Sequence, residues 1–275
     1  MKCIDSLKKA YEVYKANPAK LSLITVLMMA LQYVLGIVML LAALAVVAAA
    51  LLLYGSGVVG TGAVLAGNIA ALALLIGTAL ILLALALAAV VLNTAITGAL
   101  FELCYRALQG RDFTLTALLE RAAAKWQTYG GIGLAKSIIE AAAFLLIVGV
   151  PIGLVIVLAM FVPQLALIVA FIPLLLIILV LFALIVYLVL YVFFSMSYPA
   201  AVVKKAGVLS SLKLSVSTVF NNLIDVFVLL VICFLVNLFL CVIPIVGGAL
   251  AILVWMPISA IALIDLFAAC AGREE

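Results

Sequence analysis

The chain contains no histidine. That absence removes the commonest transition-metal ligand and the usual base at neutral pH. Charge is scarce as well: 14 Lys and Arg and 10 Asp and Glu among 275 residues, or 9%, where ordinary globular chains carry about a quarter. Five cysteines, Cys3, Cys104, Cys233, Cys241 and Cys270, show no C-x-x-C spacing, so the zinc and redox patterns fail. No Walker loop, dinucleotide fingerprint or nucleophile elbow occurs. Together these gaps exclude a soluble enzyme and a nucleic-acid-binding domain. They predict a protein without cofactor, metal or catalytic residue, and without a nucleic-acid partner.

What is present is hydrocarbon. Apolar side chains make up 71% of the chain and the mean hydropathy is +1.59. The charges cluster and leave long gaps: 81 uncharged residues between Lys20 and Glu102, 63 between Glu140 and Lys204, and 39 between Asp225 and Asp265. About 20 apolar residues cross a bilayer, so each gap holds two crossings and a tight return. Backbone in lipid must satisfy its own polar groups, and the runs do not alternate as barrel strands do, so the crossings are helices. The sequence therefore predicts an all-α integral membrane protein, one polytopic domain over 1–275, with six spans near 21–53, 63–92, 131–160, 165–195, 222–243 and 248–270. Three hairpin units follow, approximately 1–108, 109–200 and 201–275. Turns are expected at Tyr54 to Gly62, at Pro163-Gln164, and at Ile243 to Gly248. Pro151 and Pro173 read as kinks, although Pro151-Ile152-Gly153 is an alternative for the middle turn.

All 14 basic residues fall on one side of this layout, and the three opposite turns carry no charge. The positive-inside bias makes that side cytoplasmic and puts both termini there, in a cell-membrane, multi-pass protein. The first apolar run far exceeds a signal-peptide core, and no cleavage is expected.

A short amphipathic helix is predicted before each hairpin. Ile4, Leu7, Ala10, Tyr11 and Tyr14 oppose Lys8, Lys9, Glu12 and Lys15 in the first, which Asn17-Pro18 ends. Leu115, Leu118, Leu119, Ala122 and Trp126 oppose Glu120, Arg121 and Lys125 in the second. Leu209, Leu212 and Val216 oppose Ser210, Lys213 and Ser217 in the third, near 208–219. Such stripes with cationic flanks suit helices in the headgroup plane; packing of the three against one another is the competing reading. The lipid-contacting set is Lys8, Lys9, Lys15, Arg121, Lys125, Trp126, Lys204, Lys205 and Lys213, with membrane lipids, anionic ones included, as partners.

The segment Tyr11 to Pro18 leading into Leu21, the Tyr198-Pro199-Ala200-Ala201 run, Ser210-Ser211 running to Phe220-Asn221-Asn222, the Ile243-Pro244-Ile245-Val246-Gly247 turn and Pro257 carry a family likeness. The layout resembles the six-helix membrane domain of some glycerophosphoryl diester phosphodiesterases and its free-standing relatives of unknown function. The likeness covers nearly the whole chain. It implies a fold. With no hydrolase domain attached, it carries over no catalytic residue.

Ionisable groups within membrane segments are functional candidates by default. Here they are Lys136, Glu140, Asp225 and Asp265, a candidate ion or proton path. The alternative is that they snorkel, cap neighbouring helices or pair, as Lys136 with Glu140 and Glu102 with Arg106 at four-residue spacing. Asn237 is expected to bond across to another helix, and the alanines of the first two spans to allow close helix approach. The sequence thus supports a non-enzymatic membrane scaffold, anchor or partner-binding module, with a membrane-protein partner or homo-oligomer. The alternative is a small transporter or channel for an ion, proton, lipid or apolar solute, with an acidic approach on the cytoplasmic side.

Overall fold

The computed structural model describes residues 2–55, 64–114, 116–161, 172–243 and 246–272. Residues 56–63 of the first turn, the Pro163-Gln164 turn, Pro244-Ile245 of the third, Leu115 and Arg273 lie outside the described residues. Within them the chain is helical apart from short links and holds no strand. Its elements are α1 (Lys2–Ala16), α2 (Pro18–Gly55), α3 (Val64–Leu108), α4 (Thr116–Ala124), α5 (Trp126–Phe144), α6 (Val150–Phe161), α7 (Ile172–Phe194), α8 (Ser197–Val203), α9 (Val208–Asn221), α10 (Leu223–Val242), α11 (Val246–Leu250) and α12 (Met256–Ala271). Single π-helical turns, Leu145–Gly149 and Ala251–Trp255, join α5 to α6 and α11 to α12. Six stretches are long and apolar enough to cross a membrane: Pro18–Leu51, Ala73–Leu108, Trp126–Val155, Leu174–Val203, Leu223–Val242 and Val246–Ala271. The protein is a multi-pass, all-α membrane protein.

Local sequence sets the breaks. Asn17 alone separates α1 from α2, as the proline after it requires. Gly110, in left-handed backbone at φ 66°, closes α3. The amide of Arg111 there donates to the Arg106 carbonyl at 3.0 Å, a C-terminal cap of the kind glycine permits. Both π turns lie just before a proline, Pro151 and Pro257. Proline cannot donate to the carbonyl four residues back and its ring crowds it, so the helix widens there. At the third turn, a Cβ on Gly247 would collide with the Leu240 carbonyl, so only glycine lets α11 return so closely on α10.

Two boundaries differ from expectation. The second span does not stop at residue 92: α3 runs unbroken to Leu108. At 1.5 Å per residue its 45 residues extend about 68 Å, well beyond the hydrocarbon. Residues 93–108 carry no proline or glycine pair to break them, and the chain continues as the centre of the core. α5 likewise begins at Trp126 rather than at residue 131.

The core is at the charged end of the molecule. Leu21, Ile24 and Met28 of α2, Leu100, Leu103 and Cys104 of α3, Leu118 of α4, and Ile261, Ile264 and Phe267 of α12 are fully enclosed. The sixth span is the most buried, with 44% of its apolar window covered against 0% for the first two. Most described side chains of 33–51, 73–88 and 234–242 are exposed or half-exposed on the protein itself, as lipid-facing helices are.

Close helix approach is also set by glycines outside the alanine-rich stretches. Between α3 and α5, a Cβ on Gly98 would enter the Tyr129 ring and one on Gly133 would enter Thr94. The alanines at 42–50 remain exposed or half-exposed.

Candidate functional site

The polar groups that matter gather at the charged end in three clusters. The first centres on Glu102, which α3 buries to 7% exposure. Its Oε2 accepts from the Tyr129 hydroxyl at 2.8 Å and faces the Lys125 ammonium at 3.0 Å. Its Oε1 faces Arg121 at 3.3 Å and Arg106 at 4.0 Å. Lys125 also lies 5.9 Å over the Tyr129 ring. The Gly98 contact, by admitting the Tyr129 ring against α3, is what brings its hydroxyl to Glu102.

The second cluster is where α1 crosses the ends of α10 and α12. Lys9 donates to Asp265 Oδ1 at 2.5 Å and Ser6 to Oδ2 at 2.9 Å. Lys2 donates to Asn222 Oδ1 at 3.1 Å and approaches the Cys270 sulfur at 3.6 Å. Cys3, fully buried, lies beside the Asp225 carboxylate. Burial first, and then the Asp225 charge, push the Cys3 thiol above its ordinary range.

The third cluster closes the end of α7, whose helix breaks at Ser195-Met196 ahead of Pro199. The last carbonyls of α7 would be orphaned there. Ser195 donates to Val192 O at 2.7 Å, Ser215 to Phe193 O at 2.7 Å, and Ser197 to Phe194 O at 2.6 Å. Lys136 donates to Phe194 O at 3.3 Å and lies 5.7 Å over the Tyr198 ring. A cation at a helix C-terminus is well placed electrostatically, so Lys136 serves as a cap.

The four residues read as a possible path are thus divided. Asp225 and Asp265 meet the same helix, α1, yet each has its own partner. Lys136 caps α7. Glu140, one turn further along α5, lines a cavity of about 210 Å³ with Phe144, Val180, Leu184 and Tyr187. Among the described residues no hydrogen bond or ion pair joins Glu140 to either aspartate. The carbonyl freed by Pro257 is occupied too: Leu253 O accepts from Ser22 at 2.7 Å and Tyr14 at 3.3 Å.

The three amphipathic helices form where expected, but the buried faces of the first and third are rotated. In α1 the enclosed residues are Cys3, Ser6 and Ala10, leaving Ile4 and Tyr11 outside with Lys8 and Lys15. In α9 they are Ser211, Leu212, Ser215, Thr218 and Val219, while Leu209, Val216 and Phe220 face out with Lys213. In α4, Leu118 and Ala122 are enclosed and Leu119 is half-exposed, as is Trp126 at the start of α5. Serines bonding back to carbonyls bury readily, which a hydropathy stripe does not anticipate. Lys204 and Lys205 lie exposed in the link before α9, Lys205 in left-handed backbone. Asn237 is corrected as well: its amide donates to Cys233 O on its own helix at 3.0 Å. The cross-helix bond comes instead from Gln32 to Thr97 at 3.1 Å.

Glu102 as the hub, Tyr129 as its ligand and Ser22 as the carbonyl partner escaped the sequence reading. Only the four-residue spacing of Glu102 and Arg106 signalled any of them. Comparison with protein families, with curated proteins and with solved structures finds no match to the chain.

Proposed function

We propose that this is a non-enzymatic scaffold or anchor of the cell membrane, with its termini and charged end in the cytoplasm. There it would hold anionic lipid or a membrane-protein partner, including a second copy of itself. The observation that carries this reading is a pattern shared by α1 and α9. Ile4, Lys8, Tyr11 and Lys15, and Leu209, Lys213, Val216 and Phe220, recur at i, i+4, i+7 and i+11 on exposed faces. Apolar side chains alternating with lysines suit a helix face set at the headgroups, the lysine stems in apolar surroundings and the ammoniums in water. Each well-placed cation favours anionic lipid by ~1 kcal/mol. The expected outcome is salt-sensitive enrichment of acidic lipid around the purified protein; indifference to lipid charge and salt removes the reading. The likeness to the phosphodiesterase membrane domain stays part of this proposal as a statement about fold, without an activity.

A transport route through Glu140, Asp225 and Asp265 has less support, because the aspartates are partnered and Glu140 stands apart. Ion and proton flux in proteoliposomes decides: flux lost in Asp225→Asn plus Asp265→Asn, with folding intact, replaces the scaffold by a transporter.

A further inference from the structure

We propose that the Glu102 cluster, where α3, α4 and α5 meet, is a binding site for the phosphate of an anionic lipid headgroup; this rests on the scaffold reading and gives it a site. Three cations converge on one carboxylate. Among the described residues Glu102 is the only acidic group within ion-pair reach of Arg106, Arg121 or Lys125. Glu120, beside Arg121, is exposed and pairs with none of them. The cluster therefore keeps a net charge of +2 in a half-buried place, where an uncompensated charge is costly.

The cations and the carboxylate differ in access. The Glu102 side chain is 9% exposed, while those of Arg106, Arg121 and Lys125 are 29%, 35% and 37% exposed. An arriving anion meets the cations and not the carboxylate. Glu102 and the Tyr129 hydroxyl bonded to it lie deeper than the cationic groups, so the carboxylate competes with the ligand from behind. Arg121 spends one nitrogen on Glu102 and keeps most of its planar fork, the geometry that fits a phosphate. Trp126 follows Lys125 and is half-exposed, as a side chain at the headgroup level is. That indole favours a lipid over a dissolved phosphate as the source of the anion.

The test uses the full chain in vesicles. With Trp255→Phe, Trp126 is the single remaining indole of the two in the chain. Quenching by brominated phosphatidate is compared with quenching by brominated phosphatidylcholine. The expected result is a preference for phosphatidate that falls about fivefold for each cation lost in Arg121→Gln and Lys125→Gln. Glu102→Gln removes the competing carboxylate, and the preference rises. A cluster that only holds the helices together predicts the reverse for Glu102→Gln, and that result overturns the site. An unchanged preference in the folded Arg121→Gln, Lys125→Gln protein also overturns it, and this arm decides alone if Glu102→Gln does not fold. Excess inorganic phosphate that abolishes the preference assigns the site to a soluble anion and overturns the lipid claim. General salt-sensitive enrichment of acidic lipid that persists while this preference is absent leaves the scaffold reading standing. No acidic-lipid preference of any kind removes both.

Discussion

Single residues at the charged end are constrained by partners far away in the chain. Ser22 is the clearest. Pro257 leaves the Leu253 carbonyl without its helical donor, and Ser22 supplies the shorter of two replacement bonds. Ser22→Ala is expected to cost about 1–3 kcal/mol of stability, and Tyr14→Phe less, measured as thermal unfolding in detergent. Gly98→Ala should cost a similar ~1–3 kcal/mol, because its Cβ enters the base of the Tyr129 side chain, which must shift to admit it. Cys3 makes a prediction in pH. Its thiol is raised by burial and by Asp225, so the folded-state value lies above the unfolded one. The stability it contributes is complete below the ordinary thiol range and is lost as pH rises through the folded value. Maleimide labelling of Cys3 should therefore be slow in the folded protein at mildly alkaline pH and fast once it is unfolded. Asp225→Asn should bring labelling to lower pH.

At the scale of elements, uncharged length and proline position were enough to locate helices. The gaps of 81, 63 and 39 residues hold the six spans, and Asn17-Pro18 ends α1 where it should. Legibility failed where an element's fate depends on another element. α3 passes residue 92 because α4, α5 and α12 surround its last four turns, which no local signal declares. The rotation of α1 and α9 has the same origin: serines 6, 211 and 215 find acceptors on neighbouring helices or on their own, and that makes them buriable. The orientation of α9 is testable. Nitroxides at Leu209 and Phe220 should report equal depth if the helix lies in the membrane plane. An upright helix would separate them by about 16 Å, since they are eleven residues apart.

For the whole molecule, the packing is one-sided. The enclosed core lies at the charged end, and the far halves of the spans present apolar faces to lipid. Substitutions there should therefore be mild: Leu40→Ala or Leu181→Ala, at side chains 60% and 56% exposed, should shift unfolding far less than Ile261→Ala, which buries completely and should lose about 2–5 kcal/mol. The most enclosed of the six spans, the one α12 completes, follows the other five in the chain. Lys9 and Asp265 are 256 residues apart, so the contacts that fasten α1 wait on synthesis of nearly everything between them. Two hairpins can enter the bilayer before their central partner exists, and until it arrives Ser6 and Lys9 on the face of α1 stand open to whatever else the membrane offers. Quality control would meet the protein as a set of inserted but unlocked helices until the sixth span is in place.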